Sequence, residues 1–490
     1  MKLSTQLFVT ILSKTTENVS IFILSIVLAR YFTKAEYGTY LHVQLIVNIA
    51  VWSLLLGIPH SVYYFLPKVR SQRKYLLNVL ALMAGISFIV SIGTYFMIPF
   101  LSESLLNEDL LNLGGIVLCL ILFQIPITSF EPIMISAGEI KLFAKLKSLF
   151  SLALFISVIA PISLGMSLEQ ILKSLVFCFL LQVLVVIYYS LRTAYKYSSP
   201  NLEGENCSFN EQARYSLPIG LSSGLSEMSS YADKIIVSNQ SSPEDYAVYA
   251  RGAMDLPIIN IIANTLDNLL MPRFIKAFKE KDTPGVITSW HTTIRMMASF
   301  IYPCCFFLIA TAHLLIPAIF SERYIDSVII FQIYSLGLLT RISTFSIIVR
   351  AIGKTKDILW VSIGTVIGNI LLTLLFMSWW GLVGAPIATV LVMLIMKIMY
   401  VYSVTHYLKI NMIDVFPWMS LLHSLLASTI STLPVLALLS LEINVWLHLL
   451  LLSIVFSISY ILLTKISLSL TKSDKEAIRS ITPKRLKWII

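Results

Sequence analysis

The chain has 490 residues, 57% of them hydrophobic and 13% charged, about half the charged share of an ordinary soluble domain. Lysine and arginine number 36 against 26 acidic residues, a formal net charge of +10. This composition excludes a soluble multidomain protein, and it leaves no polar region large enough to present the folded basic face that nucleic-acid binding needs.

Apolar runs long enough to cross ~30 Å of hydrocarbon as helices recur along the whole chain. The first, 7–29, contains Lys14 and Glu17 one helical turn apart. It has no small-residue cleavage site and is expected to be a retained span. The second, 40–66, begins around His42 and ends on Tyr63-Tyr64-Phe65, an aromatic group typical of a membrane interface. The third is 76–100. The fourth, 113–137, carries Glu131 between Pro126 and Pro132, which kink a helix. Spans five and six are 142–165 and 168–192. Span seven, 215–238, carries Glu227, Asp233 and Lys234 and a Gly220-x-x-x-Gly224 pattern suited to close helix contact. Span eight, 247–272, holds Arg251, Asp255, Pro257 and Asp267. Span nine is 293–317. Span ten, 326–349, contains Arg341, with no acidic neighbour one turn away. Span eleven, 358–378, repeats the glycine pattern at Gly364 and Gly368. Spans twelve to fourteen are 381–405, 417–440 and 445–464. The runs are continuous rather than alternating, so the expected fold class is an all-α polytopic integral membrane protein with about 14 transmembrane helices.

The basic residues orient these spans. Arg30, Lys34, Lys173 and Arg323 fall in the expected outer loops. Lys14, Lys234, Arg251, Arg295, Arg341 and Lys397 lie within or at the edge of spans. The rest sit on the opposite side, which places both termini in the cytoplasm. The tail Lys472–Lys487 is suited to anionic membrane lipid. Five cysteines, and His60 and His313, fit no disulfide framework or metal spacing, so no metal or cofactor is expected.

Two echoes point to a duplication. Glu36-Tyr37-Gly38-Thr39-Tyr40 is matched 209 positions later by Asp245-Tyr246-Ala247-Val248-Tyr249. Gly138-Glu139-Ile140-Lys141 is matched 215 positions later by Gly353-Lys354-Thr355-Lys356. Two six-helix pseudo-repeats plus two C-terminal helices follow. The expected divisions are an N-terminal half, 1–193, a cytoplasmic linker, 194–214, and a C-terminal half, 215–408. An extra helix pair, 409–466, and a basic tail, 467–490, complete the chain. Transporters built from such repeats place their substrate site at the repeat interface near the midplane.

The stretch Ala29-Arg30-Tyr31-Phe32-Thr33-Lys34-Ala35-Glu36-Tyr37-Gly38-Thr39-Tyr40 resembles the end of the first span in bacterial polysaccharide flippases. Tyr215-Ser216-Leu217-Pro218-Ile219-Gly220 with Asp233-Lys234 resembles their seventh. Gly353-Lys354-Thr355, Asn369 and Gly381-Leu382-Val383-Gly384-Ala385-Pro386-Ile387-Ala388-Thr389 resemble their eleventh and twelfth. The resemblance spans roughly 7–405. These O-antigen and capsule repeat-unit flippases share a superfamily with lipid II flippases and multidrug-and-toxin extrusion antiporters. It implies a non-enzymatic transporter of the bacterial cytoplasmic (inner) membrane. The implied cargo is an undecaprenyl-diphosphate-linked oligosaccharide, turned to the outer leaflet for surface polysaccharide synthesis. Proton or sodium coupling and contact with polysaccharide polymerase or assembly proteins belong to the same expectation. Many O-antigen members have twelve spans, so spans thirteen and fourteen leave the subgroup open.

Charges inside the bilayer are costly and usually face the protein interior or water. A diphosphate calls for cations, and Lys14, Lys234, Arg251 and Arg341 are the candidates. His42 matches Arg251 in the repeat register and reads either as a cavity-mouth group or as a satisfied interfacial histidine. Glu17, Glu131, Asp255 and Asp267 read either as coupling-ion sites or as charge balance. Lys14–Glu17 and Arg251–Asp255 have the spacing of intrahelical ion pairs, and Lys234 that of an interfacial, snorkelling lysine. Arg295 and Lys397 read as anchors. A drug/cation antiporter of the same fold is the nearest alternative. A membrane glycan polymerase or ligase would need a large outer loop, and no P-loop for ATP is present.

Overall fold

The computed structural model describes residues 3–69, 71–196, 209–254, 271, 274–275, 277–280, 282–342 and 345–467. Most of the expected linker, the span-eight residues Asp255, Pro257 and Asp267, and the tail from 468 lie outside the described residues. In chain order the helices are α1 (Leu3–Tyr31), α2 (Lys34–Ser53), α3 (Ile58–Phe65), α4 (Gln72–Ser104), α5 (Asp109–Ile127), α6 (Phe130–Ser136), α7 (Ile140–Ser163), α8 (Leu168–Lys196) and α9 (Phe209–Gln240). They continue with α10 (Pro243–Gly252), α11 (Thr283–Phe320), α12 (Ser327–Gly337), α13 (Ser346–Ile352), α14 (Thr355–Trp380), α15 (Gly384–Leu408), α16 (Trp418–Leu438) and α17 (Val445–Ser467). No strand occurs among the described residues. The protein is an all-α polytopic membrane protein. Each expected span coincides with one helix or one broken helix; of span eight only the start, α10, is described.

Nine helical stretches among the described residues are long and apolar enough to cross a membrane, one of them running through α14 and α15. Helix α9 is long enough, at 32 residues, but is not among the nine. Ser222, Ser223, Ser226, Ser229 and Ser230 crowd its middle. A span this polar is stable only against protein or water.

The helix ends explain the two sequence echoes. Thr33 caps α2 by accepting from the Glu36 amide (3.2 Å), and Glu36 returns the bond by accepting from the Thr33 amide (3.0 Å), a reciprocal capping box. At the matching place in the second half, Ser242 caps α10 by accepting from the Asp245 amide (3.2 Å). The second echo is a pair of left-handed turns, Gly138 (φ +74°) before α7 and Gly353 (φ +85°) before α14, where a side chain is disfavoured.

Corresponding spans are broken alike. Span four stops at Ile127, just after Pro126, and resumes as the seven-residue α6. Span ten leaves α12 through the tight turn Leu338–Ile342 and resumes as the seven-residue α13. Discontinuous helices at equivalent places in two halves are where transporters build binding sites, because loosened backbone is tolerated only against protein or a wet cavity.

The chain clusters into two compact units, Met1–Ala247 and Val248–Ile490. In the first, α1 packs on α7, α2 on α5 and α9, α3 on α6 and α9, and α8 on α5 and α7. Gly220 of α9 lies against the α2–α3 break, where a Cβ would collide with the Leu56 and Gly57 backbone. The glycines of α14 behave differently: a Cβ at Gly364 or Gly368 would meet only side-chain carbons of α15, at 3.8 and 3.9 Å. Their spacing therefore produces no close backbone approach. In the second unit, the 38-residue α11 carries α12 on one side and the α16–α17 pair on another. That pair is fastened by hydrogen bonds: Ser424 Oγ donates to Ala298 O (3.3 Å) and the Tyr460 hydroxyl to Ser299 O (3.0 Å).

Candidate functional site

In the first unit the break in span four sets Glu131 in the opening turn of α6. There the Lys14 ammonium of α1 lies 2.7 Å from Glu131 Oε1. One turn along α1, Glu17 Oε1 is 2.7 Å from Lys147 Nζ of α7. The intrahelical Lys14–Glu17 pair suggested by spacing is thus replaced by two crossed interhelical pairs. Lys14 and Glu131 side chains are 50% and 31% exposed, and Lys147 and Glu17 25% and 32%. Thr16 and Asn18, on the same stretch of α1, are also exposed. Exposed polar groups midway along a membrane span require water or a polar ligand.

Lys147 lies five residues inside the expected span five, yet its closeness to Lys141 and Lys145 groups it with the cytoplasmic cations rather than with the charges inside spans. Helix α7 starts at Ile140, which puts Lys147 about 10 Å inside at 1.5 Å per residue. A signal existed: Lys141 and Lys145 share a helix face, and Lys147 is turned about 200° from Lys145.

His42 is fully buried at the end of the unit where the turns after α1, α4, α7 and α9 gather. There Asn107, from the α4–α5 turn, donates to His42 Nδ1 (2.9 Å) and to Thr39 Oγ1 (3.1 Å). The imidazole stacks on Tyr246 at 4.7 Å. With Nδ1 accepting, the proton sits on Nε2, which is buried with no hydrogen-bond partner among the described residues. Nothing in the sequence spacing tied Asn107 to His42. Asn107→Ala is expected to lower stability by about 1–3 kcal/mol, because the buried ring nitrogen and Thr39 lose their donor; thermal unfolding in detergent reads this directly.

The opposite end of this unit is basic and aromatic. The Lys68 ammonium lies 3.6 Å from the Tyr64 ring centre, and Tyr64 stacks on Tyr215 at 4.6 Å. Arg73 covers Tyr195 at 4.4 Å, and Lys196 pairs with Glu139 at 2.6 Å. Within α9, Lys234 is half-buried with its ammonium 5.4 Å from the Tyr231 ring centre, and Asp233 is buried.

In the second unit, Arg341 belongs to the turn that breaks span ten. It lines a small recess of about 20 Å³ with Met254, Phe331, Tyr334, Ser335 and Met393 among its walls. The Tyr334 hydroxyl is 3.4 Å from that of Tyr249 on α10. Arg251, two residues further along α10, is half-buried with its guanidinium 5.4 Å from the Phe320 ring centre. The Arg251–Asp255 pairing and the role of Asp267 fall outside the described residues. Arg295 donates to Thr292 Oγ1 (3.1 Å), and the Lys397 ammonium lies 5.7 Å from the Phe345 ring centre. Among the described residues no group of histidine, cysteine and carboxylate side chains could hold a metal ion.

The family model described as polysaccharide biosynthesis protein matches residues 27–329. The chain belongs to the polysaccharide biosynthesis protein family. That match covers the α1–α2 cap, both broken segments of the first unit and the start of α12. No curated protein matches the chain. Among solved structures, the chain is similar to the lipid II flippase MurJ in an inward closed conformation, with a TM-score of 0.66 at 16% identity over 92% of this chain and 98% of that one. It is similar to an inward-facing multidrug resistance MATE family transporter of the MOP superfamily, with a TM-score of 0.64 at 14% identity over 80% and 95% of the two chains. A MOP superfamily transporter from Pyrococcus furiosus, described as having a binding pocket of reversed polarity, gives a TM-score of 0.58 at 13% identity over 82% and 95%. This member of the polysaccharide biosynthesis family therefore has the fold of flippases and transporters.

Proposed function

We propose that the protein is a flippase that moves undecaprenyl-diphosphate-linked oligosaccharide repeat units from the cytoplasmic to the outer leaflet by alternating access. The observation that carries this reading is the set of cations inside the membrane-spanning helices of a polysaccharide biosynthesis family member: Lys14 and Lys147 in one unit, Arg251 and Arg341 in the other. A diphosphate ester is the part of such a cargo that needs cationic partners. On this reading the membrane is the bacterial cytoplasmic (inner) membrane, the basic end around Lys68, Arg73 and Lys196 faces the cytoplasm, and both termini lie in the cytoplasm, as the distribution of basic residues along the sequence implies. Sugar transfer has no part in this reading: the protein moves a finished lipid-linked unit that a polymerase or assembly protein then consumes. Glu17 and Glu131 are the groups within reach of a coupling proton or sodium ion.

A drug/cation antiporter is the second reading, favoured by the likeness to a MATE transporter. It requires an acidic pocket able to hold a free organic cation. Here both described carboxylates of the cluster are already occupied by lysine.

Reconstitution in liposomes with a fluorescent undecaprenyl-diphosphate oligosaccharide separates the two. Leaflet exchange above protein-free vesicles is expected. No exchange under either a proton or a sodium gradient, together with gradient-driven efflux of an organic cation, would replace the flippase reading by the antiporter one.

A further inference from the structure

The crossed lysine–glutamate pairs of the first unit have a geometry that a purely structural ion pair does not need. Both ammonium groups come from different helices, α1 and α7, and both carboxylates, Glu131 and Glu17, are about one-third exposed. Each lysine is matched at 2.7 Å by a single carboxylate oxygen, which uses one of its three donors. One cation projects from α1 and the other is paired to α1 one helical turn further on, at Glu17, and two neighbouring cations each held by a removable anion suit the two linked phosphates of a diphosphate ester. We infer that Lys14 and Lys147 form a two-ammonium receptacle for the diphosphate of the cargo, and that Glu131 and Glu17 are stand-in anions which the diphosphate displaces.

The inference rests on the flippase reading and assigns a site within it. It joins Lys14 and Lys147 in one receptacle, and it turns both glutamates from balancing charges into competitors of the cargo. The exchange is physically balanced. Displaced carboxylates that are partly exposed recover water, so they are not left as bare charges in a low-dielectric interior. The ammonium groups trade one carboxylate oxygen each for phosphate oxygens of higher charge. An empty receptacle stays neutral, which spares the free protein two unpaired membrane cations. The break in span four supports the exchange, since α6 is only seven residues long and can shift Glu131 away from Lys14 without unwinding a full span.

The sign of one substitution separates this from a structural pair. The full-length protein in nanodiscs is titrated with farnesyl diphosphate, farnesyl monophosphate and inorganic pyrophosphate. Farnesyl diphosphate should bind more tightly than either of the other two. Glu131→Gln and Glu17→Gln, which keep shape and remove the competing charge, should each tighten it, by about tenfold (~1.4 kcal/mol). Lys14→Ala and Lys147→Ala should each weaken it by a similar factor, and Lys147→Arg should largely restore it. If either Glu→Gln variant binds less tightly than wild type, or unchanged, the carboxylates are not competitors and the inference falls. It falls equally if Lys147→Ala melts like wild type and binds as wild type does. Inorganic pyrophosphate binding as tightly as farnesyl diphosphate would make this a soluble-anion site and overturn the assignment to cargo. The leaflet-exchange assay judges the underlying function separately. Exchange without tightening sinks the receptacle and keeps the flippase, whereas tightening without exchange keeps the receptacle and sinks the flippase.

Discussion

Arg341→Ala is expected to cut leaflet exchange of an undecaprenyl-diphosphate oligosaccharide by about 10- to 100-fold. Hydrogen bonds to a charged partner contribute about 1.5–3 kcal/mol, and each ~1.4 kcal/mol is a factor of ten. Arg341 is placed for such a contact: it is half-buried in the turn that breaks span ten and lines a recess with Tyr334 and Met254. Arg341→Lys keeps the charge and loses the two-pronged geometry, so an intermediate loss is expected. The melting temperature should stay near that of wild type, because the residue sits in a turn beside a recess rather than in the packed α11 core. Exchange unchanged by the alanine substitution removes Arg341 from the cargo path. A loss that tracks a collapse in melting temperature assigns it to the fold instead.

Much of this architecture was legible in the sequence because a bilayer permits few solutions. Hydrophobic runs had to be helices, and each described run falls within a helix or a broken helix: span six was expected from 168 and α8 begins at Leu168, whereas α11 begins at Thr283, ten residues before the expected start of span nine. The internal echoes were legible for a local reason, since Thr33 with Glu36 and Ser242 with Asp245 are the same capping device, used at the same place in each half. Partners across helices were not legible. Lys14 and Glu17 are a good intrahelical pair by spacing, yet each turns to a different neighbour, because α6 and α7 bring Glu131 and Lys147 within 2.7 Å. Spacing along one helix says which side chains share a face, but which face meets which neighbour depends on where spans break. Span four had a warning, in Pro126 and Pro132, whereas span ten breaks at Leu338–Ile342 with no proline there. The glycine patterns make the same point. Gly220 and Gly364 stand in identical motifs, but only Gly220 touches backbone.

That contact carries the second large effect: Gly220→Ala is expected to destabilise the protein by about 1–3 kcal/mol, the cost of forcing an extra methyl into a filled site. The upper end is favoured here because the obstacle is backbone, the Leu56 carbonyl carbon and the Gly57 amide, and no rotamer change can move it aside. The α2–α3 break is already conformationally expensive, with Leu56 at φ +50° and Gly57 at φ +69°. A left-handed non-glycine residue costs about 1–2 kcal/mol, so its surroundings must hold it there. Helix α9 does so through Gly220, and a wider separation would release the turn together with the contacts of α3 on α9. Gly57→Ala should be worse than Gly220→Ala, since it adds a left-handed penalty to the same collision. Gly85→Ala on α4 is the control: a Cβ there meets nothing within 4 Å, so alanine should be neutral or stabilising by up to ~1 kcal/mol through helix propensity. Thermal unfolding of the three variants in one detergent gives the order directly. If Gly220→Ala melts as high as Gly85→Ala, α9 does not brace the break. The serine-rich face of α9 would then be free to move independently of α2 and α3, and the left-handed pair Leu56–Gly57 would have to be held by the short α3 alone.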